Sequence, residues 1–144
     1  TKPFFYINNL TELIKQYSLV SLKIISVSGK MRERIEGIKG EEIAKAYIRK
    51  LGYKILEENY VYLGAEADII ALDGDELVFI EVKCRNNLNF GYPAEAVTRY
   101  KIKQYILIAK GYTQAKRMAD KNVRFDVIEV LLGKINHIKN AFEA

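Results

Sequence analysis

The sequence predicts an α/β domain in which a mixed β-sheet is flanked by α-helices. Three observations carry this prediction: an early helical stripe of apolar residues, three closely spaced apolar runs after it, and a long basic helix before one further run. Runs joined by short loops form antiparallel neighbours, whereas a helical crossover returns the chain to a parallel partner. The order helix, three strands, helix, strand therefore predicts a sheet of mixed direction.

The first helix is predicted over residues 39–51, where apolar side chains recur at helical spacing. Gly52 suits the left-handed cap that ends many helices. On this helix Glu41 lies at the edge of the apolar stripe and looks toward the sheet, whereas Glu42 is expected to be solvated. The stripe that we expect to be buried consists of Ile43, Ala44, Tyr47, Ile48 and Leu51.

Three strands are predicted over residues 53–63, 66–72 and 77–83, because these runs are rich in β-branched, aromatic and aliphatic residues. Gly64 and Asp73-Gly74 supply the turns between them. The first three strands should therefore be antiparallel neighbours.

The second half of the chain predicts a loop over residues 84–92 and a helix over about residues 94–119, with Pro93 in its first turn and a break near Gly111. Its expected buried stripe is Val97, Tyr105, Ile108, Ala109 and Tyr112. A last strand is predicted over residues 124–130. A short hairpin that turns at Gly133 is expected to continue it to residue 138.

The 144 residues are enough for one main domain with its own core. We expect this domain over residues 37–144, after an N-terminal extension, residues 1–36, that contains a short helix and a strand-like segment. Met31 is a candidate alternative start. The single cysteine, Cys84, excludes an internal disulfide and a multi-cysteine zinc site, and it fits a reducing, cytoplasmic setting. No apolar stretch approaches the roughly 20 residues that span a membrane, so no membrane partner is expected.

Charge is distributed unevenly along the chain. Residues 41–83 carry five basic and ten acidic groups, whereas residues 84–124 carry nine basic and two acidic groups. An acidic pocket followed by a basic surface is expected of a metal site beside a phosphate-binding face. A solvated, lysine-rich helix face would give the same count, so charge alone leaves both interpretations open.

Asp68 and the segment Glu81-Val82-Lys83 are the most specific candidates for chemistry. Side chains alternate along a strand, so Glu66, Asp68 and Ile70 are expected to share a face, as are Phe79, Glu81 and Lys83. A two-residue loop would place Glu81 diagonal to Asp68, and a four-residue loop would place the two directly opposite. A three-residue loop without a bulge would separate them.

Two adjacent carboxylates resist joint ionisation, and a divalent cation removes that penalty. Mg²⁺ (or Mn²⁺) prefers one or two carboxylates with waters and phosphate oxygens, and the Val82 carbonyl could complete the set. Lys83 emerges on the same face, where it could orient a water or offset charge on phosphorus. These residues make the chain a candidate phosphodiester-cleaving enzyme.

More ordinary interpretations apply to each residue alone. A strand carboxylate such as Asp68 is more often solvated, and Glu41 more often simply begins a helix. His137, the only histidine, is expected at the surface, and Cys84 is expected to be structural. The specificity lies in the ordered combination of helix glutamate, hairpin aspartate, Glu-apolar-Lys and basic helix.

That combination resembles the PD-(D/E)XK nuclease superfamily, and more narrowly the YraN-like family of uncharacterised, endonuclease-like proteins. The resemblance spans roughly residues 37–130, and Ala96-Val97 and Lys101 also fit it. Four stretches carry it: Gly40-Glu41-Glu42-Ile43-Ala44, Gly64-Ala65-Glu66-Ala67-Asp68-Ile69-Ile70-Ala71, Val78-Phe79-Ile80-Glu81-Val82-Lys83-Cys84-Arg85 and Arg124-Phe125-Asp126-Val127.

The resemblance implies a restriction-endonuclease-like sheet and a nuclease motif filled by Asp68, Glu81 and Lys83. It also implies that Glu41 is the helix glutamate that the distantly related archaeal Holliday junction resolvases place at their metal site. Glu66 would be a second carboxylate of the family pattern. Ala65 and Ala67 depart from that pattern, in which a glycine and a large aliphatic residue are usual, but neither departure removes a ligand.

For partners, the resemblance implies DNA, with Arg85 and Lys101 as phosphate contacts and Arg99 and Lys103 beside them on the basic helix. Branched or structured DNA is an expectation by analogy, and a homodimer would suit a symmetric junction. Two other hypotheses stay open at this point. One is a nucleic-acid-binding or partner-binding module without turnover, and the other is a purely structural α/β domain.

Overall fold

The computed structural model describes residues 29–85, 97–131 and 133–144, and for residues 29–37 it describes the backbone alone. All described side chains belong to the second of the chain's two units, Gly37–Ala144. The short helix and strand-like segment predicted before residue 29, most of the loop over residues 84–92, and the helix start at Pro93 lie outside the described residues. The elements are α1 (Gly29–Lys50), β1 (Lys54–Tyr62), β2 (Ala65–Asp73), β3 (Glu76–Arg85), α2 (Arg99–Ala115), β4 (Val123–Leu131) and β5 (Lys134–Phe142).

The strands of the described ranges form one mixed sheet in the order β1-β2-β3-β4-β5. The first three strands are antiparallel neighbours, β4 is parallel to β3, and β5 returns antiparallel to β4. The predicted topology is thereby confirmed, including the hairpin at Gly133, whose φ is 77°. β5 continues to Phe142, four residues beyond the expected end. The architecture is an α/β fold of the restriction-endonuclease-like type.

Within the described residues, helices α1 and α2 pack on opposite faces of the sheet. Tyr105 and Ile108 of α2 join the core cluster that contains Phe79, whereas Ala44 and Ile48 of α1 join the cluster that contains the next strand residue, Ile80. Neighbouring residues of a strand point to opposite faces, so each helix covers one face. No helix within the described ranges is both long and apolar enough to cross a membrane.

The contact line of α1 is narrower than the apolar stripe predicted for it. Ala44 and Ile48 are buried, but Ile43 and Leu51 are exposed, so the prediction of their burial is wrong. A side chain at Gly40 would lie 2.7 Å from Cβ of Cys84. Gly40 and Ala44, which are small and four residues apart, thus let α1 approach the sheet closely along one line. Ile43 lies to the side of this line and stays exposed.

Helix α2 runs through Gly111 without the predicted break. Gly111 is needed for packing rather than for bending, because a Cβ there would overlap the ring of Tyr62 on β1. The expected buried stripe is otherwise confirmed for Tyr105, Ile108, Ala109 and Tyr112. Val97 lies before the helix and is only half-buried.

The hairpin between β2 and β3 has the register expected for a four-residue loop, which is one of the alternatives that the sequence left open. Leu72 pairs with Leu77, and the outermost pair joins Asp73 to Glu76 around a turn at Gly74, whose φ is 60°. Backbone pairing ends at Ile69 and Ile80. One further step in this register brings Asp68 to Glu81, so the turn sets the two carboxylates opposite each other.

A buried polar cluster joins β4 to β5 and contradicts the expected surface position of His137. The His137 side chain is only 5% exposed, and its Nε2 lies 2.7 Å from Oδ2 of the fully buried Asp126. Arg124 donates to both oxygens of Asp126, and the backbone N–H of Asn140 donates to Oδ1. The histidine is buried because its ring packs edge-on against Tyr47 of α1 and against Tyr53, with ring centroids 5.6 and 6.2 Å away.

Candidate active site

Asp68 and Glu81 meet at the point where β2 and β3 stop pairing through their backbones. The N–H of Val82 donates to Oδ2 of Asp68 at 2.7 Å. This bond replaces a ladder hydrogen bond and ties the aspartate to the strand that carries Glu81 and Lys83. The sequence prediction that one hairpin delivers both carboxylates to one place agrees with this geometry.

The side chain of Tyr105 on α2 connects the two strands at this point. Its hydroxyl lies 2.6 Å from Oε2 of Glu81 and 3.1 Å from the carbonyl oxygen of Ile80, and it accepts a long bond of 3.4 Å from the N–H of Asp68. One hydroxyl proton can serve one acceptor well, and the nearer, charged carboxylate is the stronger acceptor. Tyr105 therefore fixes the orientation of Glu81.

Sequence reasoning assigned Tyr105 to the core and missed its hydroxyl contacts. In a sequence, a buried tyrosine cannot be told from a large apolar residue unless the hydrogen-bond partner of its hydroxyl is known. The available signal was its position one turn after Lys101 on the helix that follows the Glu-Val-Lys segment.

Two lysines surround Glu81, whose side chain is almost completely buried. Nζ of Lys83 lies 2.8 Å from Oε1, and Nζ of Lys101 lies 3.3 Å from Oε2. Lys101 also lies over the Tyr105 ring, 5.6 Å from its centroid. Because both lysines remain partly exposed, the buried carboxylate is connected to solvent through cationic groups.

Burial and the neighbouring charge of Glu81 raise the pKa of Asp68 to about 7. The hydrogen bond from Val82 and the charge of Lys101 oppose this shift but do not cancel it. Burial also raises the pKa of Tyr105 well above its ordinary value, helped by the charges of Asp68 and Glu81. Tyr105 therefore stays a protonated donor, and Asp68 takes up a proton near neutral pH when no cation is bound.

Glu41 approaches this site from α1 but is directed to Asn59, which hydrogen-bonds its side chain. Burial raises the pKa of Glu41, and Lys45 partly offsets the shift. Its charge contributes to the raised pKa of Asp68, so the two carboxylates are electrostatic neighbours. Glu42 is exposed and pairs with Lys45, in agreement with the prediction for it.

Glu66, Asp68 and Ile70 do not all share one face, contrary to the strict alternation expected for β2. Ala65 and Ala67 pack in the α2-side cluster, whereas Ile69 packs on the α1 side. The strand therefore changes face near Asp68, and Glu66 is turned toward α1. There its charge contributes to the raised pKa of Glu41.

The donor set fits a cation that takes few protein ligands. No three Asp, Glu, His or Cys side chains within residues 29–85, 97–131 and 133–144 form a group able to hold a metal ion. Mg²⁺ commonly takes one or two carboxylates and completes its shell with waters and phosphate oxygens. Asp68 and Glu81 supply such a pair, and the two lie close enough for the charge of Glu81 to contribute, after burial, to the raised pKa of Asp68. Glu41 as a further ligand remains a prediction.

The four predicted nucleic-acid contacts fall into two groups. Lys101 reaches Glu81, and Nε of Arg85 lies 3.3 Å from Oε1 of the buried Glu129, so both take part in ion pairs of the sheet. Arg99 and Lys103 are exposed at the start of α2. The Thr98 side chain caps this helix by accepting from the N–H of Lys101.

Comparison with known proteins places the chain in a family. A model described as uncharacterised protein family UPF0102 matches residues 40–130. A UPF0102 protein of Geobacter sulfurreducens is 42% identical over 120 residues, which cover 80% of this chain and 94% of that protein. A UPF0102 protein of Clostridioides difficile is 46% identical over 114 residues, which cover 78% of this chain and all of that protein.

The matched region contains the β2–β3 hairpin, helix α2 and β4 up to Val130, and therefore every side chain of the site described above. The match also confirms the resemblance to the YraN-like, endonuclease-like proteins that the motifs indicated. The chain belongs to the uncharacterised protein family UPF0102.

Proposed function

We propose that the protein is a Mg²⁺- or Mn²⁺-dependent endonuclease that hydrolyses phosphodiester bonds of DNA. The observation that carries this proposal is the arrangement around Glu81. A buried carboxylate beside a second carboxylate of raised pKa is bordered by Lys83 and opens to solvent through lysines. A carboxylate pair with an adjacent lysine suits phosphoryl chemistry, in which charge must be offset on the phosphate oxygens.

In this proposal Asp68 and Glu81 hold the cation, together with the Val82 carbonyl. When bound, the cation supplies an activated water and offsets negative charge on the phosphate. Tyr105 contributes orientation, because its short bond to Oε2 limits the rotamers open to Glu81. The N–H of Val82 does the same for Asp68.

Lys83 is the residue that we assign to the reacting phosphate or the attacking water. Its ammonium is held 2.8 Å from Oε1 of Glu81, yet about a third of the side chain is exposed, so it can reach a phosphate oxygen while staying paired. Lys101 is similarly placed on the α2 side. Both would draw the DNA backbone toward the carboxylates, whose own charge would otherwise repel it.

DNA is the proposed partner because the start of α2 carries three basic side chains, Arg99, Lys101 and Lys103, and no acidic one. Arg99 and Lys103 are exposed for backbone contacts, and such contacts weaken steeply with salt. Branched or structured DNA is the proposed substrate class, with a homodimer as the form that would match a symmetric junction.

A binding module without turnover is the second candidate, and one observation favours it. Both oxygens of Glu81 are already engaged, Oε1 by Lys83 and Oε2 by Tyr105 and Lys101. A carboxylate that the protein itself neutralises has less need of a cation. Under this alternative the cluster would hold the sheet edge in shape while α2 binds nucleic acid.

The test is cleavage of plasmid and four-way-junction DNA in Mg²⁺ or Mn²⁺ by the wild type, Asp68→Ala and Lys83→Ala. The matched control is Lys110→Ala, which removes an exposed lysine of α2 away from Glu81. We expect cleavage by the wild type and the control, and a loss of about a hundredfold or more in both site variants.

No cleavage by the wild type, or cleavage by both site variants at the wild-type rate, would refute the catalytic proposal. Salt-dependent DNA binding without cleavage would support the module. Chelation by EDTA must abolish the activity, because a metal-independent nuclease would survive it; a contaminating nuclease would instead remain in the two site variants.

A further inference from the structure

A shallow groove lies beside the candidate active site, between the β1–β2 turn and the first two turns of α2. It encloses about 280 Å³ and is lined by Leu63 from the turn and by Tyr100, Lys103, Gln104 and Leu107 from the helix. These helix residues follow the spacing i, i+3, i+4, i+7 and so form one continuous face. The catalytic proposal uses the adjacent face, which carries Lys101 and Tyr105.

Leucine is an unusual residue at position 63, because this position lies in a tight turn with positive φ. It occupies the left-handed region with φ 48°, and Gly64 follows with φ 79°. Such two-residue turns favour asparagine followed by glycine, because a bulky side chain is strained at positive φ. Leu63 is also 76% exposed, so burial of its side chain does not compensate for this strain. Residues that keep strain without a folding benefit are concentrated at functional sites.

Tyr100 is the second unusual feature of the groove. Tyr100 is 71% exposed at the first turn of α2, and Leu107, which lines the same groove, is also exposed. The groove therefore joins an exposed aromatic ring, two exposed leucines and the ammonium of Lys103. This combination of an aromatic face, apolar edges and a cation is how proteins bind unpaired nucleobases and their phosphates.

The groove is close enough to the site to hold the same strand. Tyr100 is the chain neighbour of Lys101, which contacts Glu81. On the other wall, Ala65 lies three residues before Asp68, about 10 Å along an extended strand. A base in the groove would thus belong to a nucleotide within a few positions of a phosphate at the carboxylates.

We propose that this groove binds an unpaired nucleobase, which stacks on Tyr100 against Leu63 while Lys103 contacts its phosphate. A base inside a duplex shows only its edges, whereas an unpaired base offers the flat face that a tyrosine ring needs. The substrate class is therefore DNA with unpaired nucleotides next to the cleaved bond. This inference rests on the proposed function for its substrate, but its test requires no cleavage.

The experiment uses the full chain in EDTA at low salt, so that no hydrolysis occurs. The probe is a duplex with a short single-stranded overhang that carries a fluorescent adenine analogue whose emission falls on stacking. A second probe places the same analogue inside a fully paired duplex. We expect the wild type and Tyr100→Phe to quench the overhang probe. Tyr100→Ala should bind about tenfold more weakly and lose the quenching.

Leu63→Asn is a second variant, and it distinguishes a direct loss of binding from a loss caused by misfolding. Asparagine suits the left-handed turn position, so this variant should unfold at higher urea concentration than the wild type and yet bind the overhang probe less tightly. Leu51→Ala, which shortens an exposed leucine at the end of α1, should leave binding unchanged.

Equal quenching by the wild type and Tyr100→Ala, or no preference for the overhang over the paired probe, would overturn the groove assignment. A protein that quenches the overhang probe but cleaves no DNA would retain this assignment and lose the nuclease proposal. A protein that cleaves DNA but quenches neither probe would retain the nuclease proposal and lose the groove assignment.

Discussion

The hydroxyl of Tyr105 lies 2.6 Å from Oε2 of Glu81 and joins helix α2 to the candidate catalytic strand. Both side chains are almost completely buried. The tyrosine thus links the packing of α2 to the orientation of the carboxylate. A shift of the helix would move the carboxylate, so the core and the site are not independent.

Tyr105→Phe is expected to lower the free energy of unfolding by about 2 kcal/mol, because a hydrogen bond to a buried charged group is lost while the ring is kept. Urea denaturation measures the change. Tyr112→Phe removes a hydroxyl from the same helix without touching Glu81 and serves as the control. A loss in Tyr105→Phe no greater than in the control would show that the bond to Glu81 contributes little.

Asp68→Asn should stabilise the cation-free protein at alkaline pH. Because the pKa of Asp68 is raised from 3.8 to about 7, the folded state holds a proton between about pH 4 and pH 7 that the unfolded chain has released. Wild-type stability therefore falls as the pH rises through this window. Asparagine removes that dependence and, above pH 7, should add about 2 to 4 kcal/mol.

Thermal or urea unfolding between pH 4 and pH 8 in EDTA tests this prediction. The gap between Asp68→Asn and the wild type should grow with pH and shrink again when Mn²⁺ is added to the wild type. A constant gap across the pH range would mean that the carboxyl is not the group that titrates.

Gly111→Ala should destabilise the protein by about 2 kcal/mol, because the added methyl group overlaps the Tyr62 ring. At an exposed helix position the same change would normally stabilise. Combining it with Tyr62→Leu should recover part of the loss, and a double-mutant cycle by urea denaturation measures the coupling. Strict additivity of the two changes would contradict the contact.

Asp126→Asn should cost about 3 kcal/mol, because it removes the fully buried countercharge of Arg124 and leaves it only the partly exposed Asp73 and Glu76. Burial alone would raise the pKa of Asp126, but hydrogen bonds from His137, Arg124 and Asn140 outweigh it and lower the pKa below 3.8. This stability is present above about pH 4 and is lost as the pH falls further. Acid titration followed by circular dichroism should show less steep unfolding in the variant; an unchanged curve would refute this role.

The sequence predicted the sheet and its directions because apolar runs, short turns and a helical crossover are all local signals. It predicted the meeting of Asp68 and Glu81 because strand alternation allows few hairpin registers. Alternation failed at Glu66, since β2 changes face where its pairing with β3 ends, and no local pattern marks that point.

Other features depended on contacts between distant segments. His137 was expected at the surface because its burial arises only when β5 folds back over Asp126. Tyr105 was predicted to be a core residue but not a hydrogen-bond donor to Glu81, because Glu81 lies 24 residues away on another element. Gly111 suggested a break because glycine weakens helices, and only the position of Tyr62 shows why it is required.

The most direct measurement of the central claim is a calorimetric titration of Mn²⁺ into the metal-free wild type and Asp68→Asn at pH 6.5. The Asp68–Glu81 pair predicts binding by the wild type with release of a proton, seen as a dependence of the heat on the buffer's ionisation enthalpy. Asp68→Asn should bind at least tenfold more weakly and release none. Equal binding by the two proteins, or none by the wild type, would contradict the account of this pair as a divalent-cation site.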